Sequence, residues 1–174
     1  MEQDEEDAAP LILAAALDDE TFARLDALRR EHFPPERNVL SAHLTMFHKL
    51  PGLEIDAVVA DLAEVTARTP PLPLRVAAPF FMGRGSAFAI EAPGLRALRA
   101  TLARRWEAWL TPQDAQPWRP HVTVQNKVER DEARALHAAL SAAHEPWEGT
   151  CLALALWRYR GGPWEAEGVF ALRG

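Results

Sequence analysis

The chain has 174 residues, of which 48% are hydrophobic and 25% charged. That is the balance of a globular protein with room for one good core or two small lobes. Its formal net charge of −6 excludes a general nucleic-acid coat, whose affinity comes from many phosphate contacts, but is compatible with a pocket for one or two phosphates. No stretch approaches the roughly 20 apolar residues needed to cross a bilayer, so no membrane partner is expected.

Residues 1–9 read as a disordered acidic tail and 10–174 as a single bilobal domain. Met1 to Asp7 lacks the basic-then-apolar order of a signal peptide, so a cytoplasmic protein is expected. The single Cys151 excludes an internal disulfide and suits a reducing compartment; within the apolar run Thr150 to Trp157 it reads as a small core residue.

Pro10 to Leu17 has strand length, and Asp18-Asp19-Glu20-Thr21 then opens a helix with acidic residues at its positive end. Phe22, Leu25, Leu28 and Phe33 give it an apolar stripe, and Pro34-Pro35 ends it. Val39 to Phe47 reads as a strand. Ile55 to Ala67 follows as a helix, with Val58, Leu62 and Val65 at i, i+4, i+7. Alternating Leu72, Leu74 and Val76 predict the next strand, continued by a stretch through Phe80-Phe81. The second half repeats this order: a strand over Ser86 to Glu91, a long helix marked by Leu95, Leu98, Leu102, Trp106 and Trp109, and a strand from Trp118 to Val128. A helix over Glu129 to His144 and a strand over Thr150 to Tyr159 complete it. Gly161-Gly162-Pro163 is a turn, and Trp164 to Leu172 a hairpin partner. A shift of 78 residues sets His43 on His121, Val58 on Leu136, Leu62 on Leu140, Leu74 on Leu152 and Val76 on Leu154. Identity across that shift is almost nil, so the duplication rests on element order.

Two stretches of this repeat carry chemistry, His43-Leu44-Thr45-Met46-Phe47 and His121-Val122-Thr123-Val124-Gln125. On a strand, a histidine and a threonine two residues apart point the same way, while Leu44, Met46, Val122 and Val124 point into the core. Arg119, His121, Thr123, Gln125 and Lys127 share one predicted face, so Arg119 and Lys127 are candidates to reach a phosphate. Phe47, in phase with His43 and Thr45, is a candidate to stack on a base, as are Trp118 and Tyr159 near the predicted cleft edges. His48 is out of phase and reads as surface; His32, His137 and His144 read as solvated.

Most single histidines are neither ligands nor catalysts, and the pair gains its weight from the repeat. Opening a phosphodiester in line needs one group to take a proton from the attacking oxygen and another to give one to the leaving oxygen. Two imidazoles with ordinary pKa values of about 6.5 suit both tasks near neutrality. Threonine hydroxyls donate to the non-bridging oxygens where charge gathers, with no metal required. Two other readings stay open. One is a non-catalytic module that binds a nucleotide or RNA end on the same fold. The other is a metal hydrolase with both histidines as ligands, weakened by the lack of a third ligand in phase.

The paired motifs resemble those of the two-histidine phosphoesterase superfamily, the 2′-5′ RNA ligases and 2′,3′-cyclic phosphodiesterases. Pro120 before the second histidine, Gly52 after the first motif and the hairpin over Leu154 to Glu165 add to the likeness, which spans about Leu11 to Leu172. Gln125 departs from it, because the family prefers an apolar residue there; His48 and Lys49 follow a motif that in many members turns directly into a loop. The resemblance implies an α+β fold of two duplicated β-α-β-α-β lobes, antiparallel sheets facing a central cleft and helices outside. It also implies acid and base duties shared by His43 and His121, and phosphate binding by Thr45 and Thr123. The expected partner is a small nucleotide or RNA end carrying a cyclic phosphate, handled by a monomer without cofactor, as in RNA processing.

Overall fold

The computed structural model describes residues 8–174; most of the expected acidic tail, residues 1–7, lies outside them. Seven strands, β1 (Leu11–Leu17), β2 (Leu44–Leu50), β3 (Leu72–Phe81), β4 (Ser86–Glu91), β5 (His121–Gln125), β6 (Trp147–Arg158) and β7 (Glu165–Ala171), form one sheet. The helices are α1 (Asp19–His32), α2 (Ile55–Arg68), α3 (Pro93–Arg105), the single turn α4 (Pro112–Ala115) and α5 (Arg130–Ala143). Among the described residues no helix is long and apolar enough to cross a membrane.

The fold is the expected α+β duplication, with β1-α1-β2-α2-β3 answered by β4-α3-β5-α5-β6. The strand order is β2-β1-β6-β3-β4-β5, antiparallel throughout, with β7 also on β6. Each repeat therefore gives its third strand to the other: β6 pairs with β1, and β3 with β4. The expected two sheets are halves of one, joined where the N-terminal part of β6 meets β3. The single offset of 78 fails within this exchange, since Leu74 is buried while Leu152 is 43% exposed.

Helix starts and buried faces follow from side-chain chemistry. Asp18 caps α1 by accepting from the Thr21 amide at 2.9 Å, and its other oxygen accepts from the Thr150 amide at 2.7 Å. Burial pushes that carboxyl up, but these hydrogen bonds outweigh it and hold it below its ordinary value. Val58, Leu62 and Val65 bury one face of α2, and Leu95, Leu98 and Leu102 one face of α3. Trp106 and Cys151 are core residues, and burial raises the thiol to about 11.

The two motif strands are shorter than the sequence pattern suggests, and both slip out of phase just after the threonine. In β2, Ala14 opposes Thr45 but Leu13 opposes Phe47, so Met46 is an extra residue. In β5, Ala87 opposes Thr123 but Ser86 opposes Gln125, so Val124 is the extra residue. A bulge of this kind turns the following side chain to the opposite face. Phe47 is consequently not a stacking surface: it is fully buried, edge-on to Trp106 at 5.1 Å and beneath the Arg99 guanidinium at 4.4 Å. Gln125 leaves the polar face in the same way, 3% exposed, its Oε1 without a hydrogen-bond partner among the described residues. Gly85 keeps the β3–β4 turn against the end of this strand, because a Cβ there would collide with the Gln125 carbonyl.

The far end of β2 is held from the second repeat. Asp114, 1% exposed, accepts from the backbone amides of His48 and Lys49 at 2.9 Å each and meets the His48 ring Nδ1 at 3.1 Å. Burial raises this carboxyl, and the His48 and Lys49 donors more than reverse that, leaving it below its ordinary value. A depressed carboxyl contributes stability above its unfolded pKa that is lost as pH falls through the folded one.

Phe47→Ala is expected to lower unfolding free energy by about 3–5 kcal/mol. Gln125→Met is expected to raise it by about 1 kcal/mol, since an unpaired buried acceptor is replaced by apolar volume. Urea unfolding at pH 7 measures both; a destabilised Gln125→Met would mean that the amide is satisfied.

Candidate active site

His43 stands one residue ahead of β2 and His121 opens β5, the strands at the two ends of the sheet's path. Three side chains bring those ends together. Trp118 Nε1 donates to the Thr45 carbonyl at 3.0 Å, Arg29 Nη1 to the Thr123 carbonyl at 2.9 Å, and Arg99 Nε to the Met46 carbonyl at 3.1 Å. Each arginine lies on the first helix of one repeat and reaches the motif strand of the other.

The histidines have matching surroundings. Nδ1 of His43 donates to the Ser41 carbonyl and Nδ1 of His121 to the Arg119 carbonyl, each at 2.7 Å and two residues upstream. A carbonyl can only accept, so each bond fixes the proton on Nδ1 and leaves Nε2 to take or give one. Each ring also meets an aromatic edge, Trp164 at 4.8 Å for His43 and Phe80 at 5.8 Å for His121. Burial pushes the His43 pKa below its ordinary value of 6.5. The Ser41 bond opposes this, and the charges of Arg29, His121 and His48 add to it. The charge of His121 thus reaches the His43 ring.

Thr45 and Thr123 are half-buried beside these rings. Among the described residues the Thr123 hydroxyl donates to the Met82 sulfur at 3.9 Å, a weak acceptor. No partner for the Thr45 hydroxyl is present among the described residues.

The other sequence candidates divide. Arg119 is exposed, with its guanidinium 5.9 Å from the Phe80 ring that abuts His121, so it stays at the site. Lys127 does not share the face of His121. β5 ends at Gln125, and Lys127 sits in the following turn with φ of 63°, exposed and out of the ladder. Tyr159 is 43% exposed beyond the end of β6 and takes no part in the cavity beside His43. Trp118 is committed to the Thr45 carbonyl and to Arg99 rather than free to stack. His144 is not fully solvated; it packs 5.1 Å from Phe88 and 5.8 Å from Trp147.

Trp164, Phe80, Arg29 and Arg99 were not among the sequence candidates. For the arginines a signal exists: each occupies the buried face of an amphipathic helix, Arg29 in line with Thr21 and Leu25, Arg99 beside Leu95, Leu98 and Leu102. A cavity of about 450 Å³ adjoins His43, with Ala14, Ala16 and Ala155 on its floor and Trp157 and Trp164 among its walls. Among the described residues that line it, His43 alone has a titratable side chain. Among the described residues no three His, Cys, Asp or Glu side chains are grouped to hold a metal ion.

None of the curated proteins matches the sequence. Solved structures do. TT0787 of Thermus thermophilus is 21% identical, with alignment over 95% of this chain and 98% of that one and a TM-score of 0.60. A crystal structure described as a phosphoesterase is 20% identical over 96% and 99%, with a TM-score of 0.62. E. coli LigT complexed with 3'-AMP is 19% identical over 96% and 99%, with a TM-score of 0.61. At such identities these structures speak for the fold. The model of the 2'-5' RNA ligase superfamily matches residues 17–163, and with most of its length covered the chain belongs to that superfamily.

Proposed function

We propose that the protein is a metal-independent phosphoesterase that opens 2′,3′-cyclic phosphates of nucleotides or RNA ends to 2′-phosphates. The observation that carries this reading is the matched pair of imidazoles, each with Nδ1 pinned to a carbonyl and Nε2 left for proton transfer. One Nε2 takes a proton from water as its oxygen attacks phosphorus. The P–O3′ bond breaks opposite, and the other Nε2 protonates the departing oxygen. Thr45 and Thr123 donate to the non-bridging oxygens, and Arg119 supplies nearby positive charge. With a ribose hydroxyl in place of water, the same groups form a 2′-5′ linkage, and the reverse reaction cleaves one.

The apolar cavity beside His43 suits the uncharged ring of a nucleoside, with Trp157 and Trp164 as flat surfaces. That the LigT structure is complexed with 3'-AMP supports a nucleotide-sized ligand for this fold.

Incubation with the four nucleoside 2′,3′-cyclic phosphates in EDTA tests the reading. Turnover to 2′-monoesters is expected, and His43→Ala or His121→Ala is expected to lower kcat/KM at least about 100-fold while the protein stays folded. Full activity in His121→Ala, or equilibrium binding with no product, overturns it. The pH profile of kcat/KM is expected to be bell-shaped. One inflection should fall below 6.5, because burial and the positive neighbours of His43 disfavour its protonated form.

A further inference from the structure

α1 buries a charge where an apolar residue would complete its stripe. Arg29 is 5% exposed, one helical step beyond the buried Leu25, with its guanidinium 4.1 Å from the Phe33 ring centroid. Withdrawing a guanidinium from water costs several kcal/mol unless its donors are met. Nε is shared between Asn38 Oδ1 at 2.9 Å and the Leu40 carbonyl at 3.0 Å, and Nη1 reaches the Thr123 carbonyl at 2.9 Å. One turn earlier, Asp26 Oδ1 accepts from the Ala42 amide at 2.9 Å. The irregular segment 38–42, which ends at His43, therefore hangs from α1, and the same guanidinium holds the second motif.

We propose that Arg29 is a positioning residue for the reaction, fixing His43 of the first motif against Thr123 of the second by gripping the backbone of both. A planar fork can span acceptors on two separate segments, whereas a lysine ammonium is a point charge on a flexible stem. The position also carries an electrostatic consequence. Arg29, His121 and His48 all face His43 as positive or potentially positive groups, while Asp26 faces Arg29 and partly offsets its charge. Arg99, the counterpart in the other repeat, grips Met46 and Asp114 carbonyls but is not among the groups acting on His43. It therefore separates loosening of the fold from the specific role of Arg29.

Titration of the histidine Cε1–H resonances by NMR, with His43 assigned by its loss in His43→Gln, tests this beside kcat and KM. Arg29→Met is expected to move the His43 midpoint upward and to lower kcat about 100-fold, with a smaller change in KM. Arg29→Lys should keep the His43 midpoint near that of the wild type yet still lose kcat, because charge is retained and the span is not. Arg99→Met should leave the His43 midpoint in place. An unchanged midpoint in Arg29→Met, an equal shift in Arg99→Met, or full kcat in Arg29→Lys overturns the proposal. Should Arg29→Met not fold, the lysine variant decides alone. The kinetic arm rests on the phosphoesterase reading. If the wild-type protein turns over no cyclic phosphate, that reading fails while the NMR titration still tests Arg29.

Discussion

Two strands at opposite ends of one sheet must be brought side by side, and each leaves an edge of main-chain carbonyls without a strand partner. An unpaired buried carbonyl is costly, and here side chains supply the donors: Arg29 to Thr123, Arg99 to Met46 and Trp118 to Thr45. The exchange is reciprocal, each arginine crossing from its own repeat to the motif strand of the other. Because the bonds go to backbone, they fix the strands themselves and not merely one rotamer on each. The spacing of the imidazoles follows from this closure.

The closure produces a site that is symmetric in its two imidazoles and asymmetric in its surroundings. Both histidines share the same tautomer-fixing bond and an aromatic edge. On the His43 side lies an apolar hollow floored by alanines, whose small side chains leave depth; on the His121 side lie Phe80 and the exposed Arg119.

Element order, the buried faces of α2 and α3 and the two His-x-Thr pairs were legible because each rests on a short local period, whereas the stripe expected on α1 was displaced: Phe22 is 37% exposed, and Thr21 and Arg29 are buried beside Leu25. Leu44 and Val122 are buried where alternation places them. Alternation then misled at Phe47 and Gln125, because a bulge is a property of the pairing with β1 or β4 and leaves no mark in the motif strand's own sequence. The same bulge gives a reason for an apolar preference at the Gln125 position: it faces the core. Arg29 is marked by its place on the buried face of α1 beside Leu25, but its partner is not. Nothing local says that the carbonyl it must reach lies 94 residues away. Trp164 and Phe80 come to the histidines through a turn and a strand end whose placement depends on the whole sheet.

The exchange of third strands makes the two repeats inseparable. A piece ending in the Met82–Gly85 turn would carry β1 without the β6 that covers its second edge, and the remainder would carry β4 without β3. Neither piece has a complete sheet of its own, so autonomous half-proteins are excluded even though the sequence is a duplication. Pairings as distant as Leu11 with Arg158 close very large loops, each at a cost in chain entropy. Two complementary fragments mixed together, by contrast, hold every strand the sheet requires.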